Sequence, residues 1–282
     1  MKLVYDPKCL QYHSPGHPER PERVSSAIDL LEGQYMIVQP QEARVEDIER
    51  VHDHRLIEQV QSENFFDPDT PAHPGIFDIA RRSAGAALKA AELSLGGQVA
   101  MSLMRPPGHH AGRSQLGGFC YFNNVAIATA WALTEVERVA IVDFDCHHGN
   151  GTQDIFLGHD RILFVSLHQS PLYPGTGLSN ELNCRNYPLP AGIEGSAFLD
   201  RFKKALDDVD DFDPGLIAVS AGFDAYQNDP ITDMNLDRDT FGAIGLLIAE
   251  LGRPCFAVLE GGYATDMAYC IKAFVEGFDE TA

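Results

Sequence analysis

The stretch VDFDCHHGNGT, Val142 to Thr152, places two aspartates and two histidines within six residues, directly after the apolar run RVAIV. Carboxylate oxygens and imidazole nitrogens are the usual donors to zinc and related divalent ions. In an extended chain alternate side chains point to opposite faces. Asp143, Asp145 and His147 are therefore expected on one face, with Phe144 and Cys146 packing on the other. Asp145 and His147 suit a grip on one ion. A catalytic zinc site commonly has three protein ligands and an open position, and Asp224 in SAGFDA is the expected third ligand. Asp143, one strand step further in, is read as orienting a histidine. Aspartates also cap helices and turns. That account would suffice for Asp224 alone, but not for the whole run set beside two further clusters. Cys146 should face away from the ion, and His148 is not taken as a ligand.

RPPGHH supplies one of those clusters, His109 and His110 in tandem. Adjacent histidines cannot easily face one ion, but they suit two acid/base roles at different depths. Each needs a partner to fix its tautomer, and Asp143 and Asn150 are the candidates. A buried structural histidine remains an equal account of either one alone. EGGY supplies Tyr263, whose hydroxyl is a neutral donor at pH 7 and could stabilise an oxyanion. A packed tyrosine at a helix entry fits the same residues. GGFCYFNN and SPLYPGTG are Gly/Pro loops whose Phe119 and Tyr173 could wall a narrow apolar channel or simply pack as loop aromatics.

These residues need a frame. Short apolar runs, KLVY (2–5), MIVQ (36–39), VAMSLM (99–104), RVAIV (138–142), RILFVSL (161–167), GLIAVSA (215–221) and CFAVLE (255–260), alternate with amphipathic helical segments. The helical segments are PERVSSAIDLLEG, GIFDIARRSAGAALKAAELSLGG, NNVAIATAWALTEV, SAFLDRFKKALDDV, DRDTFGAIGLLIAELG and DMAYCIKAFVEGF. Such alternation predicts an α/β fold on a mainly parallel sheet. Five of the runs lead into polar chemistry at their carboxyl ends, the edge where open α/β sheets place their ligand crevice. No repeat, low-complexity tract or linker divides the chain, so residues 1–282 are read as one domain.

The composition is that of a globular protein, with 44% hydrophobic and 22% charged residues. A formal net charge of −20 argues against nucleic acid as a partner and is compatible with cationic substrates, although an acidic solvated surface accounts for it too. MKLVYDPKCL lacks the apolar core of a signal peptide, and no apolar run is long enough to span a bilayer. The six cysteines contain no C-x-x-C pair, so reduced thiols in a cytoplasm are expected. Oligomeric state is not legible.

Taken together and in order, HPERPERV, DTPAHPGIFDIA, RPPGHH, GFCYFNNVAIA, VDFDCHHGNGT, VSLH, PGTG, SAGFDA, DP and EGGY resemble the histone deacetylase family, including its bacterial and archaeal acetylpolyamine and acetoin-utilisation relatives. The resemblance spans nearly the whole chain. It implies an arginase-like three-layer α/β fold and zinc-dependent hydrolysis of an acyl amide; the O/N donor set by itself suits Fe2+ as well. By motif position it assigns Asp145, His147 and Asp224 to the metal and His109 and His110 to the tandem pair, His110 being the general base and acid. It assigns Tyr263 to polarising the acetyl carbonyl, and Gly118, Phe119 and Tyr173 to the acyl-lysine tunnel. It further implies a structural potassium ion at Asp143, Asp145, His147, Ser166 and Leu167, an internal acetate channel at Arg23, and substrate-backbone binding by Asp69.

Three positions distinguish branches of that family. Asn150 replaces an aspartate found in some branches, which bears on the basicity of His110. Tyr263 stands where weakly active relatives carry histidine, which implies an active catalyst. Ile231 stands where one polyamine-selective branch carries a glutamate, which favours acyl-lysine or a simple acylated amine over acetylpolyamines. A two-metal ureohydrolase would need further bridging carboxylates. A non-catalytic acyl-lysine module would not need the tandem histidines and Tyr263.

Overall fold

The computed structural model describes residues 1–280. Among these, β1 (Lys2–Val4), β2 (Met36–Val38), β3 (Ala100–Ser102), β4 (Val139–Asp143), β5 (Ile162–Gln169), β6 (Cys184–Leu189), β7 (Leu216–Ala221) and β8 (Cys255–Leu259) form one eight-stranded sheet. Its order is β2-β1-β3-β8-β7-β4-β5-β6, and every pairing is parallel. The central strands β8, β7 and β4 are buried along their whole length. That is why they read as continuous Val/Ile/Ala/Leu runs rather than as alternating ones: both faces of the sheet are covered by helices.

The helices are α1 (Glu22–Leu31), α2 (Val45–Ile48), α3 (His54–Gln61), α4 (Ile76–Leu95), α5 (Asn124–Ala132), α6 (Asn150–Phe156), α7 (Gly195–Phe212), α8 (Arg238–Ala249) and α9 (Ala268–Phe278). They fall into two mutually packed sets. One set is α1, α7, α8 and α9; the other is α2 to α6, with α4 lying along β1, β3 and β8. The parallel α/β sheet expected from the alternation is found, in the three-layer form that the family resemblance implied. No described helix is long and apolar enough to cross a membrane. All six cysteines are buried and unpaired.

The seven apolar runs each contain a strand, but β6 was not anticipated. Its sequence CRNYPL carries a proline and an asparagine and is only partly buried. It lies at the sheet edge, where a proline costs no ladder bond that matters. Helices α2, α3 and α6 also lacked a readable pattern, being too short to show a period.

The extended reading of the opening stretch needs correction. β4 stops at Asp143 and the chain then bends through residues 145–147. Asp143 Oδ1 accepts the N–H of Asp145 (3.1 Å), and Asp145 Oδ1 accepts the N–H of His147 (2.9 Å). Two successive aspartates thus each close a turn onto the backbone two residues ahead. The division of faces survives the bend. Phe144 packs among Phe202, Phe223, Phe241 and Phe274, and Cys146 Sγ lies 3.7 Å from Gln169 Oε1.

Candidate active site

Strand ends β3, β4, β5, β7 and β8 deliver their polar residues to one edge of the sheet, as the sequence implied. Asp145, His147 and Asp224 converge there, each offering a donor atom, with all three atoms within 4.8 Å of one another. Both aspartates are completely buried. Backbone N–H groups hold both: Asp145 Oδ2 accepts from Gly261 (2.7 Å), its Oδ1 from His147 (2.9 Å), and Asp224 Oδ1 from Cys146 (2.7 Å). Asp145 Oδ1 and Asp224 Oδ2 also lie 3.1 and 2.8 Å from His147 Nδ1. Donors on a tetrahedral ion with bonds of ~2.0 Å would lie ~3.3 Å apart, so the set fits a small divalent cation. Electrostatics agree. Burial opposes charge on His147, but Asp224 and Asp145 outweigh it and raise its pKa to about 10. The point between the carboxylates favours positive charge, which a divalent cation would supply with His147 neutral. Glycine at 261 is a steric requirement, since a Cβ there would overlap both carboxylates.

The tandem histidines stack beside this cluster with ring centroids 4.0 Å apart. His109 Nδ1 meets Asp143 Oδ2 at 3.0 Å, and His110 Nδ1 meets Asn150 Oδ1 at 2.7 Å. Both orienting partners are those the sequence suggested, and both leave Nε2 free of them. The two imidazoles are opposite in character. Burial disfavours charge on both. For His109, Asp145 and Asp143 overcome it and lift the pKa to about 10; for His110, His109 and His147 add to it and hold the pKa well below the usual value. His148 bonds Thr176 Oγ1 (2.8 Å) and Gln153 Oε1 (3.1 Å), so both its nitrogens are engaged away from the cluster.

Aromatic rings pack around these groups. Tyr173 lies edge-on to His110 (5.1 Å) and His147 (6.3 Å), and Phe119 edge-on to Tyr263 (5.6 Å). Phe119 has φ +70°, a left-handed conformation that is strained for a bulky residue. Its N–H is anchored on Thr70 Oγ1 (2.9 Å). Gly118 beside it cannot carry a Cβ, because the His110 ring occupies that space. At the rim, Asp69 is exposed, with its carbonyl 3.1 Å from His17 Nε2, and its N–H donates to Asp67 Oδ1 (3.0 Å). Ile231 is 38% exposed and follows Asp229, whose Oδ2 accepts the N–H of Tyr263 (2.7 Å).

Behind Tyr263 lies a second charged group. The Arg23 guanidinium stacks 4.8 Å from the Tyr263 ring centroid. It donates to the carbonyls of Gly262 (2.5 Å) and Glu260 and to Glu19 Oε1 (2.9 Å). Glu19 in turn takes a two-pronged contact from Arg105, at 2.6 Å on each oxygen, and a hydrogen bond from Tyr12 (2.7 Å). Ser166 stands level with Asp143 in the β4–β5 register and shares a 2.9 Å hydrogen bond with His168 Nδ1; Leu167 follows it, buried.

Sequence reading missed Glu19, Asp67, Arg105, Asp229 and Glu260 as parts of this surround. Four of them sit inside motifs already singled out, HPERPERV, RPPGHH, DP and EGGY. The available signal was a charged residue next to an apolar strand end or a proline turn, where burial forces it to find a partner.

The parallel sheet thus ends in a buried Asp/His/Asp cluster of the kind that can hold a metal ion. Residues 17–278 match the histone deacetylase domain model, and the chain belongs to that family. It is 37% identical to a probable deacetylase of Archaeoglobus fulgidus, the match covering 99% of this chain and 87% of that one. It is 41% identical to acetylpolyamine amidohydrolase 1 of Pseudomonas aeruginosa over 71% of this chain and 62% of that one. Among solved structures, acetylpolyamine aminohydrolase from Burkholderia pseudomallei superposes with a TM-score of 0.91 at 31% identity, covering 99% of each chain. The HDA15 HD domain superposes equally well, at 28% identity, covering 98% of this chain and 90% of that one.

Proposed function

We propose that this chain is a single catalytic domain that hydrolyses the acetyl amide of a lysine or a related primary amine, releasing acetate and free amine. The observation that carries the reading is the convergence of Asp145, His147 and Asp224 beside the His110–Asn150 pair, with Tyr173 edge-on to His110. The two-oxygen, one-nitrogen donor set suits Zn2+, with Fe2+ also compatible. When bound, such an ion polarises a carbonyl and acidifies water.

The chain's own residues supply the rest. Phe119 and Tyr173, with Gly118 between Phe119 and the His110 ring, hold the acyl chain and exclude water. His110, neutral and held by Asn150 at Nδ1, presents Nε2 as the base that takes the water's proton. His110 then gives that proton to the departing amine nitrogen, while His109, held against Asp143, keeps the pair in place. Tyr263 donates a hydrogen bond to the carbonyl oxygen as it gains charge. Asp69 binds substrate backbone at the rim, and Ile231 adds no charge there. Arg23 is assigned to the path by which acetate leaves. A structural potassium ion is assigned to Asp143, Asp145, His147, Ser166 and Leu167, where a buried polar strand end meets the metal cluster.

A second reading, acetylpolyamine amidohydrolase, is favoured by the relatives that carry that name. Asp67 and Asp69 side by side at the rim also suit a second ammonium group. A turnover panel of acetyl-lysine peptides against acetylated diamines, with zinc-loaded enzyme, decides between them. Turnover of neither would overturn both.

A further inference from the structure

Glu260 follows the last residue of β8 and is completely buried; it forms no ion pair, and burial raises its carboxyl to about 7 against the pull of His109. Its Oε2 accepts the backbone N–H groups of Gly108 (2.6 Å) and His109 (3.1 Å), across the β3–β8 boundary. Its Oε1 has no hydrogen-bond partner. A buried carboxylate with one bare oxygen is costly, and an apolar side chain of similar size would fill the space without that cost. What the carboxylate adds is direction.

Three atoms of Glu260 tie three parts of the site together. Its N–H donates to Ala221 O (2.9 Å), at the end of the strand that leads to Asp224. Its carbonyl accepts from Arg23, the guanidinium under Tyr263. Its side chain grips the turn that presents the tandem histidines, and that turn is closed by Ala111 N–H to Gly108 O (3.0 Å). On its far side the turn cannot retreat, because a Cβ at Gly108 would overlap the backbone at Asn124. Three residues on, the same chain carries Tyr263.

We propose that Glu260 is a positioning residue, clamping the Gly108–His109 turn to the β8 end so that His110 and Tyr263 stand at a fixed spacing across the acyl carbon. This rests on the hydrolase reading above. Misplacement of a reacting group by ~1 Å can cost ~100-fold in rate.

The test compares Glu260→Ala, Glu260→Gln and Glu260→Asp by three measurements: kcat and KM on an acetyl-lysine peptide and an acetylated diamine, zinc stoichiometry, and the amide proton resonances of Gly108 and His109. Glu260→Ala should lower kcat by ~10²-fold with KM nearly unchanged and zinc retained. Both amide protons should move upfield as they lose the carboxylate. Glu260→Gln, whose amide oxygen can accept both bonds, should recover most of kcat and both resonances. If Glu260→Ala does not fold, Glu260→Asp, one methylene short, must lose more kcat than Glu260→Gln. Wild-type turnover in Glu260→Ala, zinc lost in step with activity, or a glutamine variant no better than alanine or aspartate would each overturn the clamp. Wild-type enzyme inactive on both substrates would overturn the hydrolase reading instead, while the amide resonances would still report on the clamp.

Discussion

Two buried charged clusters flank Tyr263, and they are opposite in kind. On one side Asp143, Asp145 and Asp224 crowd around His109 and His147, an excess of acceptors with room for a cation at its centre. On the other, Arg23 and Arg105 share the single carboxylate of Glu19, an excess of donors. The second cluster is already satisfied, because backbone carbonyls of Glu260, Gly262, Cys9 and Tyr12 take its surplus N–H groups. In the first every carboxylate oxygen also has an N–H partner, but three carboxylates face two imidazoles and negative charge is left over. Burial with equal severity therefore gives two outcomes: a centre whose surplus negative charge suits a cation, and a rigid support where peptide carbonyls complete the set.

The sharpest way to break the contrast is to remove acceptor capacity from the first cluster. Asp224→Ala should abolish zinc binding and bring turnover to background, measured by metal analysis and acetate release on the same sample. Stoichiometric zinc in that variant would mean that Asp224 is not a ligand. Next comes the group between the clusters. Tyr263→Phe keeps the ring over Arg23 and removes only the hydroxyl. It should raise the barrier by about 2.7–4 kcal/mol, or ~10²–10³ in kcat, with zinc retained. Unchanged kcat would leave the tyrosine as packing alone.

The donor-rich cluster should answer in stability rather than in chemistry. Burial pushes Glu19 up, but Arg105 and then Arg23 and Tyr12 outweigh it and bring the carboxyl down to about 2. A depressed carboxylate contributes stability above its unfolded pKa and loses it as pH falls towards the folded one. From about 4.5 down to about 2 that contribution, on the order of 3 kcal/mol, should disappear. Glu19→Gln should be destabilised by ~3–5 kcal/mol at pH 7, because it leaves two arginines buried without their anion. The gap to wild type should close below pH 3. Urea titrations of both proteins, stripped of metal, measure it. A gap that does not vary with pH would show that the cluster is held by shape and not by charge.

How far the sequence carried this picture differs between the two clusters. The acceptor-rich one was legible because its residues sit close together at a strand end, and short spacing is something a sequence displays. Asp224 is distant in the chain but ends a second apolar run, which gave it away. The donor-rich cluster joins Glu19, Arg23 and Arg105 from separate segments, and only Arg23 was anticipated, from the family resemblance. Nothing in one dimension shows that Glu19 will be shared by two arginines. The sheet was readable for a similar reason: buried parallel strands are unbroken apolar runs. β6 was not, because an edge strand with Pro188 has neither a run nor an alternation. The bend after Asp143 was missed because alternation describes side-chain faces but not aspartates that turn the backbone.

The smallest expected effect probes where the acceptor-rich cluster ends. Asn150 gives His110 Nδ1 a neutral acceptor at 2.7 Å, so the imidazole is oriented without being held charged. Asn150→Asp would extend the carboxylate cluster by one member at nearly the same position. A carboxylate at hydrogen-bond distance favours the imidazolium and should raise the His110 pKa by ~1–3 units, opposing the burial and the neighbouring His109 that now lower it. Only neutral His110 can take a proton, so the acid limb of kcat/KM should move to higher pH by the same amount. Well above that limb, turnover should be little changed. The profile of the two enzymes on one substrate, at constant zinc, is the measurement. An acid limb that does not move would show that the titrating base is not His110, and that Asn150 merely fills the space beside it.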